Sequence, residues 1–474
     1  MNWNDLLCEK RKRGFTTSAV SSDIRNEFQR DYHRIIGSAS FRRLQDKTQV
    51  FPLKRGDFVR TRLTHSLEVS SFAKSLGQMI FSYIRENGTD RDIDIEKTGK
   101  ICSILECAGL IHDIGNPPFG HFGEDFIRDW FRRNLSVIEF GGMKVNEVLN
   151  EQMLGDLYNF EGNAQALRLL SKLHFLVDEN GMNLTYPLLN TIIKYPVSSL
   201  GINKKSGNIK DKKMGYYYAD REIFEDITSS TGAVDCRHPL AFILEAADDI
   251  AYKTADMEDA VKKGLISYDR LLDDLKNKYA VRCEDDGEKE EYEKAVAKLE
   301  SYYRKAVEDG ISSPEQNAVQ RWAIYLQGVL LKCAAFGFTK NYNDIMEGRF
   351  TKELLAVSYG NTLAFALGDM AVRYVFRCKE IYKLEIAAGR IYDFLLSNLV
   401  RAAVVYDTEL PASAVDEKIM ALVSENYIRA YRTFSQGKPE DEKLYLRLLL
   451  VTDYICGMTD SYAKKLYQEL SGVD

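Results

Sequence analysis

The residues best suited to chemistry are a few histidines and carboxylates, because the chain has only six histidines. His112 and Asp113 are adjacent, while His65 and Asp248 lie in other segments. Two imidazole nitrogens and two carboxylate oxygens form an N₂O₂ set that water or substrate oxygens can complete to an octahedron. Such a set suits Mn²⁺, Mg²⁺, Fe²⁺ or Ni²⁺ better than a closed structural zinc site, which favours thiolates. Alone, the His–Asp pair would be interpreted as a capping aspartate and core histidines rather than as a metal site.

The segment around this pair is distinctive. It reads AGLIHDIGNPPFGHFGE from Ala108 to Glu124, with two consecutive prolines and four glycines. This composition predicts a tight loop between helices. The loop would return His121 and Glu124 toward the His–Asp pair. A histidine held beside a metal and a carboxylate is a suitable general acid or base.

A third segment places Asp248, Tyr252 and Asp256 four residues apart, so one helix face would present all three at steps of about 6 Å. A metal ligand, an aromatic ring and a carboxylate would then be stacked along that face. Without Asp248 nearby, Tyr252 and Asp256 would be interpreted as a core aromatic and an exposed acid.

These residues and motifs make the chain resemble the deoxynucleoside triphosphate triphosphohydrolases of the HD superfamily, specifically bacterial deoxyguanosine triphosphatases. The central motif is HDIGNPPFGHFGE, and five others occur in the expected order: Phe41–Leu53, Asp57–Val69, Phe160–Arg168, Lys194–Pro196 and Ala246–Tyr252. Together they span about residues 30–256, while the last 200 residues carry no matching motif.

The resemblance implies a role for each matched position. The metal ligands would be His65, His112, Asp113 and Asp248, and the catalytic pair would be His121 and Glu124. The substrate-binding residues would be Gln49 near the deoxyribose and base, Arg62, Asn163, Lys194 and Tyr195 at the phosphates, and Tyr252 and Asp256 at the sugar. One divalent metal ion per active site is implied, Mn²⁺ or Mg²⁺ before Fe²⁺, Ni²⁺ or Zn²⁺, with further Mg²⁺ carried by the nucleotide.

The implied reaction is hydrolysis of a dNTP, with dGTP favoured, to deoxynucleoside and inorganic triphosphate by water attack at the α-phosphate. Two alternatives stay open: another HD-type nucleotide phosphohydrolase (a nucleotidase or phosphodiesterase), or a regulator that binds nucleotide or single-stranded DNA. The PPFGHFGE loop and the Lys194–Tyr195 pair argue against the first, and the full ligand set against the second. The resemblance also implies a homo-oligomer, with a hexamer favoured, and single-stranded DNA as an effector.

Apolar residues at helical spacing predict the elements that must hold these groups. The three stripes are Val69, Phe72, Leu76 and Ile80; Ile101, Ile104, Leu105, Ala108 and Ile111; and Leu240, Ile243, Leu244, Ala247 and Ala251. His65 would begin the first helix, and His112 and Asp113 would end the second. The best strand signal, Gly215–Tyr218, is weak. The predicted fold is therefore mainly α, with an HD-domain helical core and an additional helical C-terminal region.

The charge run Glu284–Lys294 predicts either the start of a solvated helix or a linker. Residues 1–265 are predicted to form the HD phosphohydrolase core, with a basic N-terminal segment and an inserted region. Residues 266–474 are predicted to form a helical region that serves oligomerisation and contributes to the nucleotide pocket.

Composition excludes several classes of protein. A hydrophobic content of 45% and a net charge of −6 in 474 residues exclude global disorder and make a general nucleic-acid coat a poor prediction. Residues 1–62 nevertheless carry fourteen Lys and Arg against seven Asp and Glu, which suggests one local anionic partner or simply a solvated basic face. The eight cysteines form no CxxC. No apolar run approaches a membrane span, and Met1–Gly14 does not resemble a signal peptide, so a cytoplasmic protein without membrane contact is expected.

Overall fold

A computed structural model describes residues 1–14, 25–49, 60–175 and 177–473 of the chain. Within these ranges the regular structure consists of 22 α-helices, short 3₁₀ and π segments, and one two-stranded hairpin. The predicted mainly α fold is confirmed. Residues 50–53 and 57–59 of the quoted motifs lie outside the described residues.

The helices of the first part of the chain are α1 Trp3–Leu6, α2 Glu27–Ile36, α3 Ala39–Arg43, α4 Arg62–Glu86, α5 Ile95–Ile111 and α6 His121–Asn134. The antiparallel hairpin of β1 Glu139–Phe140 and β2 Met143–Lys144 follows, with Glu139 opposite Lys144 and Phe140 opposite Met143. The middle helices are α7 Val145–Val148, α8 Glu151–Tyr158, α9 Gly162–Arg168, α10 Tyr186–Ile192, α11 Arg221–Thr231 and α12 Pro239–Lys262.

The remaining helices are α13 Tyr268–Asp273, α14 Asp286–Glu308, α15 Pro314–Lys340, α16 Tyr342–Met346, α17 Asn361–Met370, α18 Lys379–Val405, α19 Ala414–Leu422, α20 Glu425–Phe434, α21 Glu440–Cys456 and α22 Asp460–Ser471. The 3₁₀ segments are Leu44–Asp46, Ser199–Gly201, Ile209–Asp211, Tyr218–Asp220, Ala280–Arg282 and Leu355–Val357. The π segments are Leu169–Leu173, Asp274–Tyr279 and Ala371–Val375.

The chain divides into two compact units. The first unit comprises residues 1–66, 110–238 and 383–474, and the second comprises 67–109 and 239–382. The predicted boundary at 265/266 therefore lies inside the second unit, because α12 packs against α15 and α17 from the other side of that boundary. The separate functions assigned to residues 1–265 and 266–474 stay a prediction.

The three predicted amphipathic helices are confirmed as α4, α5 and α12. Every residue of the second and third stripes is buried, and in the first only Phe72 is partly exposed. Burial of such stripes is what stabilises helices in proteins, since propensity alone is marginal.

The charge run at Glu284 is the start of a helix rather than a linker. The Asp285 side chain caps α14 by accepting a hydrogen bond from the Glu288 N–H at 2.8 Å. The weak strand prediction at Gly215–Tyr218 is wrong. Gly215 donates one backbone hydrogen bond to Val197, and Tyr218 opens a 3₁₀ turn, so no ladder forms there.

One helix of the second unit, α15, is long and apolar enough to cross a membrane by length and composition alone, and 44% of its most apolar stretch is buried. It packs against α12 and α14, and buried Trp322 donates its indole N–H to the Ala295 carbonyl at 2.8 Å. A core helix of a soluble protein has the same signature.

In the first unit, buried ion pairs join distant parts of the chain. Arg168 on α9 contacts both carboxylate oxygens of Asp453 on α21 at 2.8 Å in a forked geometry. Arg11 contacts Asp31 at 2.6 Å, and Asp31 also accepts from the Thr185 N–H at 2.9 Å. The N-terminal segment, the centre of the chain and the C-terminal helices thus share one core.

Candidate metal and catalytic centre

Two glycines let α4 and α5 approach closely, which sets the position of the His–Asp pair. A Cβ atom on Gly109 would lie 2.4 Å from the Ser70 Cα, and one on Gly77 would lie 2.4 Å from the Leu105 side chain. At Gly109 the contact is with backbone, so only glycine permits it, whereas at Gly77 the contact is with the end of a side chain. His112 and Asp113 follow the last residue of α5, as predicted.

Three of the four predicted metal ligands come together in the first unit. One ligand atom each from His65, His112 and Asp113 lies within 4.8 Å of the others, and the two imidazole rings are 5.3 Å apart. His65 and His112 are 1% and 3% exposed. Two buried imidazoles and a partly buried carboxylate that converge in this way fit a divalent cation. Asp248 lies on α12 in the second unit, so its place as the fourth ligand stays a prediction.

Arg62 links this cluster to the loop that follows. It is the first residue of α4, it is buried, and its guanidinium forms an ion pair with Asp113. The guanidinium also lies against Gly120, where a Cβ atom would be 2.6 Å from Nη2. A positive group is therefore held next to the candidate metal ligands, and its role as a phosphate ligand stays a prediction.

The PPFG loop turns the chain from α5 into α6. Phe119 and Gly120 both have positive φ angles, 62° and 63°, and α6 begins at the next residue, His121. Asn116 donates from Nδ2 to the Asp113 Oδ1 at 2.7 Å and so orients a predicted ligand. The prediction of a tight loop is confirmed, whereas the role of Asn116 was missed because an isolated asparagine carries no spacing signal.

His121 and Glu124 are hydrogen-bonded, with His121 Nδ1 and Glu124 Oε2 at 3.2 Å. Glu124 is 2% exposed and its Oε1 accepts from the Gly162 N–H at 2.8 Å, while the His121 side chain is 78% exposed. The hydrogen bond to Glu124 and the negative charge of Glu124 raise the pKa of His121, while the positive charges of Arg62 and Lys213 oppose this rise. Burial alone would raise the pKa of Glu124, but the bond to His121 and nearby positive charge lower it.

A second cluster, which the sequence did not predict, lies beside this pair. Glu161 Oε2 contacts the Lys213 Nζ at 2.9 Å, and Glu161 Oε1 accepts from the Asn163 Nδ2 at 2.7 Å. Arg128 on α6 is 4.0 Å from Glu124 and 3.8 Å from Glu161. Glu161 and the charge of Glu124 raise the pKa of Lys213, although burial opposes this. Asn163, a predicted phosphate contact, is therefore held next to the catalytic pair.

Lys194 and Tyr195 follow α10 in the same unit, and Lys194 is buried. The two segments around Tyr195 and Gly215 touch, since a Cβ on Gly215 would lie 1.8 Å from the Tyr195 carbonyl oxygen. The Tyr195 hydroxyl also contributes to the raised pKa of Lys213. Lys213 comes from a lysine-rich stretch, Asn203–Gly215, whose composition indicated only a loop.

Gln49 is half-buried at the end of the segment that follows α3. Its Oε1 is buried and accepts no hydrogen bond from the described residues. A buried acceptor of this kind is costly unless a ligand or water satisfies it. This agrees with a binding position for Gln49, which itself stays a prediction.

The three predicted residues of α12 lie in the second unit. Asp248, Tyr252 and Asp256 fall on one uninterrupted helix, so they share a face as the spacing requires. Burial and the carboxylates of Asp249, Asp248 and Asp256 raise the pKa of the Tyr252 hydroxyl. Their roles at the metal and the sugar stay predictions.

Comparison with known proteins agrees with this geometry. Residues 62–179 match the HD domain family, which defines the class of the protein. A Listeria monocytogenes deoxyguanosinetriphosphate triphosphohydrolase-like protein is 48% identical, with 100% of both chains aligned. A Yersinia enterocolitica deoxyguanosinetriphosphate triphosphohydrolase is 33% identical over 100% of this chain and 99% of its own. A probable deoxyguanosinetriphosphate triphosphohydrolase of Pseudomonas aeruginosa is 33% identical over 95% of this chain and 94% of its own. The chain belongs to the deoxyguanosinetriphosphate triphosphohydrolase family of HD-domain enzymes.

Proposed function

We propose that the protein hydrolyses dGTP, and other dNTPs less well, to deoxynucleoside and inorganic triphosphate. The observation that carries this proposal is the sequence of groups along one loop. The metal-ligand cluster with Arg62 comes first, and the His121–Glu124 pair follows at the start of α6. Full-length similarity to proteins named for this reaction supports it.

His65, His112 and Asp113, with Asp248 as fourth ligand, would hold one divalent ion, Mn²⁺ or Mg²⁺ before Fe²⁺, Ni²⁺ or Zn²⁺. Further Mg²⁺ would arrive with the nucleotide triphosphate. When bound, such an ion polarises a phosphoryl oxygen and lowers the pKa of water. Arg62 would bind the α-phosphate, since a guanidinium can contact two phosphate oxygens at once, and its buried position beside Asp113 supports this role.

His121 is the group that would move a proton. Its Nδ1 is engaged by Glu124, which leaves Nε2 to face the substrate. Because Glu124 raises the pKa of His121, the imidazolium is favoured, and this supports proton donation to the departing 5′-oxygen. Lys194, Lys213, Asn163 and Tyr195 would neutralise and orient the triphosphate.

Substrate selection would rest on Gln49 for the base and deoxyribose, and on Tyr252 and Asp256 for the sugar. The buried, unsatisfied Oε1 of Gln49 supports its part. The position of Tyr252 and Asp256 on one face of α12 supports their roles at the sugar.

The test is turnover of the four dNTPs and GTP by metal-stripped protein given Mn²⁺ or Mg²⁺, with separation of all products. Deoxyguanosine and inorganic triphosphate are expected. In H₂¹⁸O the label should enter triphosphate, because water attacks phosphorus and the 5′-oxygen leaves with the nucleoside. Release of dGMP, dGDP or labelled deoxyguanosine would contradict the proposal. The same assay with nucleoside monophosphates and cyclic nucleotides tests the nucleotidase and phosphodiesterase alternatives.

A regulatory role for nucleotide or single-stranded DNA is a second candidate, supported by a basic cavity of about 570 Å³ in the first unit. Its described lining includes four arginines, Arg13, Arg34, Arg42 and Arg43, and no Asp or Glu. Arg13 and Arg34 pair with acids, whereas Arg42 donates to the Gly37 carbonyl and Arg43 to Tyr427. Positive charge is thus left for an anion.

Dependence of dGTP turnover on a single-stranded oligonucleotide and on added dNTPs tests this role. Arg42→Gln/Arg43→Gln should remove the response, while Arg132→Gln/Arg133→Gln, which removes two exposed charges at the end of α6, should keep it. A response unchanged by the first variant would rule out the cavity.

We also propose a cytoplasmic homo-oligomer, with a hexamer favoured. Exposed apolar side chains late in the chain, such as Ile324, Phe365 and Ile386, support subunit contacts. Light scattering of the purified protein measures the assembly directly, and a monomer at micromolar concentration would contradict it.

A further inference from the structure

Asp460, the first residue of α22, joins two segments of the proposed active site. It is buried, and its Oδ1 accepts from the Phe119 N–H at 2.9 Å. Its Oδ2 accepts from the Thr48 N–H at 3.1 Å and from the Thr48 hydroxyl. Phe119 lies two residues before His121, and Thr48 lies one residue before Gln49. One carboxylate thus contacts the neighbours of both groups.

The loop that Asp460 contacts needs external support. Phe119 has a φ of 62°, which is unfavourable for a residue with a Cβ atom and persists only when the surroundings enforce it. Three side chains hold the loop: Asp460 binds the Phe119 N–H, Tyr392 donates to the Pro118 carbonyl at 2.8 Å, and Lys47 donates to the Asn116 carbonyl at 2.6 Å. The direction in which His121 leaves the loop therefore depends on these bonds.

The other segment is aligned with the start of α4. The Lys47 carbonyl accepts from the Arg62 N–H at 2.9 Å, and Thr48 forms an antiparallel bridge with Thr61. Thr48 is consequently fixed on both sides, by Thr61 and by Asp460. The backbone position of Gln49 follows from that of Thr48.

We propose that Asp460 is a positioning residue that couples the placement of Gln49 at the nucleotide to the placement of His121 at the reacting phosphate. This inference rests on the proposed function for the roles of those two residues. A carboxylate is required because three donors converge on its two oxygens, and charge-assisted hydrogen bonds of this kind are the strong ones. An amide in its place would turn an NH₂ group toward one of the donors.

Asp460→Asn tests the coupling. The kcat for dGTP should fall by about 10²-fold, the effect of a misplacement of about 1 Å at a reacting group. The preference for dGTP over the other dNTPs should narrow in the same variant, and the content of bound Mn²⁺ should stay at the wild-type value. Lys465→Ala is the matched control, because Lys465 is exposed on α22 and pairs with Glu469 of the same helix at 3.5 Å.

Variants of Thr48 and of Tyr392 separate the effect on the Gln49 segment from the effect on the loop before His121. They remain informative if Asp460→Asn fails to fold. Thr48→Val removes the hydroxyl bond and keeps the N–H, so it should raise KM and narrow the base preference while kcat stays close to wild type. Thr48→Ser should restore both. Tyr392→Phe loosens only the loop, so it should lower kcat and leave the base preference unchanged.

A measurement without substrate separates this inference from the proposed function. Hydrogen exchange in Asp460→Asn should rise together in residues 44–49 and 114–121, and it should not rise in Lys465→Ala. The coupling would be overturned if hydrogen exchange in Asp460→Asn rises in neither segment or in only one. It would also be overturned if this variant keeps both the wild-type kcat per bound metal and the wild-type base preference. If wild-type protein releases no triphosphate from any dNTP, the proposed function fails, and the exchange data still decide whether Asp460 links the two segments.

Discussion

The candidate metal cluster and the His121–Glu124 pair lie at opposite ends of one loop, and their side chains differ in solvent exposure. His65 and His112 are buried in contacts set by the close packing of α4 and α5, whereas His121 is exposed and only its partner Glu124 is buried. The candidate metal cluster is therefore preformed by helix packing, while His121, the proposed proton-transfer group, is hydrogen-bonded at one nitrogen. This difference predicts that damage to the cluster removes metal and activity together, and that damage to the pair removes activity alone.

The largest expected effect is at the cluster. His112→Ala or Asp113→Ala should abolish metal binding and turnover, since each removes a ligand atom from the set within 4.8 Å. Metal content and dGTP turnover are measured on the same sample. His238→Ala is the control, because this buried histidine bonds the Leu6 carbonyl and is not one of the candidate ligands, so the variant should keep its metal. Full metal occupancy in His112→Ala or Asp113→Ala would show that the ligands lie elsewhere.

The next effect is at the pair. His121→Ala should keep metal and nucleotide but lose about 10²–10⁴-fold in turnover, the usual contribution of a positioned acid or base. Asp129→Ala, an exposed substitution two turns further along α6, should behave as wild type. If His121→Ala turned over dGTP at nearly the wild-type rate, His121 would have a structural role and would not be the group that moves the proton.

The residues of the candidate site differ in how far the sequence predicts them. His112, Asp113, His121 and Glu124 lie in one compact motif, and α4, α5 and α12 have clear apolar periodicity, so the motif and the helices could be predicted. Asp460 and Asn116 could not, because Asp460 reaches Phe119 across 341 residues and such pairs leave no periodic or spacing signal. Lys213 could not be predicted either, because its stretch, Asn203–Gly215, has the composition of an ordinary charged loop. For the same reason the joining of residues 1–66, 110–238 and 383–474 in one unit could not be predicted.

A smaller effect is expected at the sugar. Asp256→Ala should weaken binding of dGTP and GTP alike by about 1.5–3 kcal/mol, the value of a hydrogen bond to a charged group. Tyr252→Ala should instead narrow the dGTP-over-GTP ratio of kcat/KM, because it opens space for a 2′-hydroxyl. Lys262→Ala, exposed at the end of the same helix, is the control. If the dGTP-over-GTP ratio of kcat/KM is unchanged in Tyr252→Ala and the metal is retained, Gln49 would be the residue that discriminates the sugar.

The smallest effect is a displacement of the pH profile. Glu124 raises the pKa of His121, so the imidazolium persists to higher pH in the folded enzyme than in a free histidine. If the imidazolium donates the proton, kcat falls as pH rises through the pKa of His121. Glu124→Gln removes the negative charge, lowers that pKa and should move this alkaline limb toward lower pH. The same interaction stabilises the fold below the unfolded-state pKa of histidine, and this contribution is lost as pH rises through the folded-state pKa. An alkaline limb that stays in place in Glu124→Gln, with kcat reduced, would mean that Glu124 orients His121 without tuning its charge.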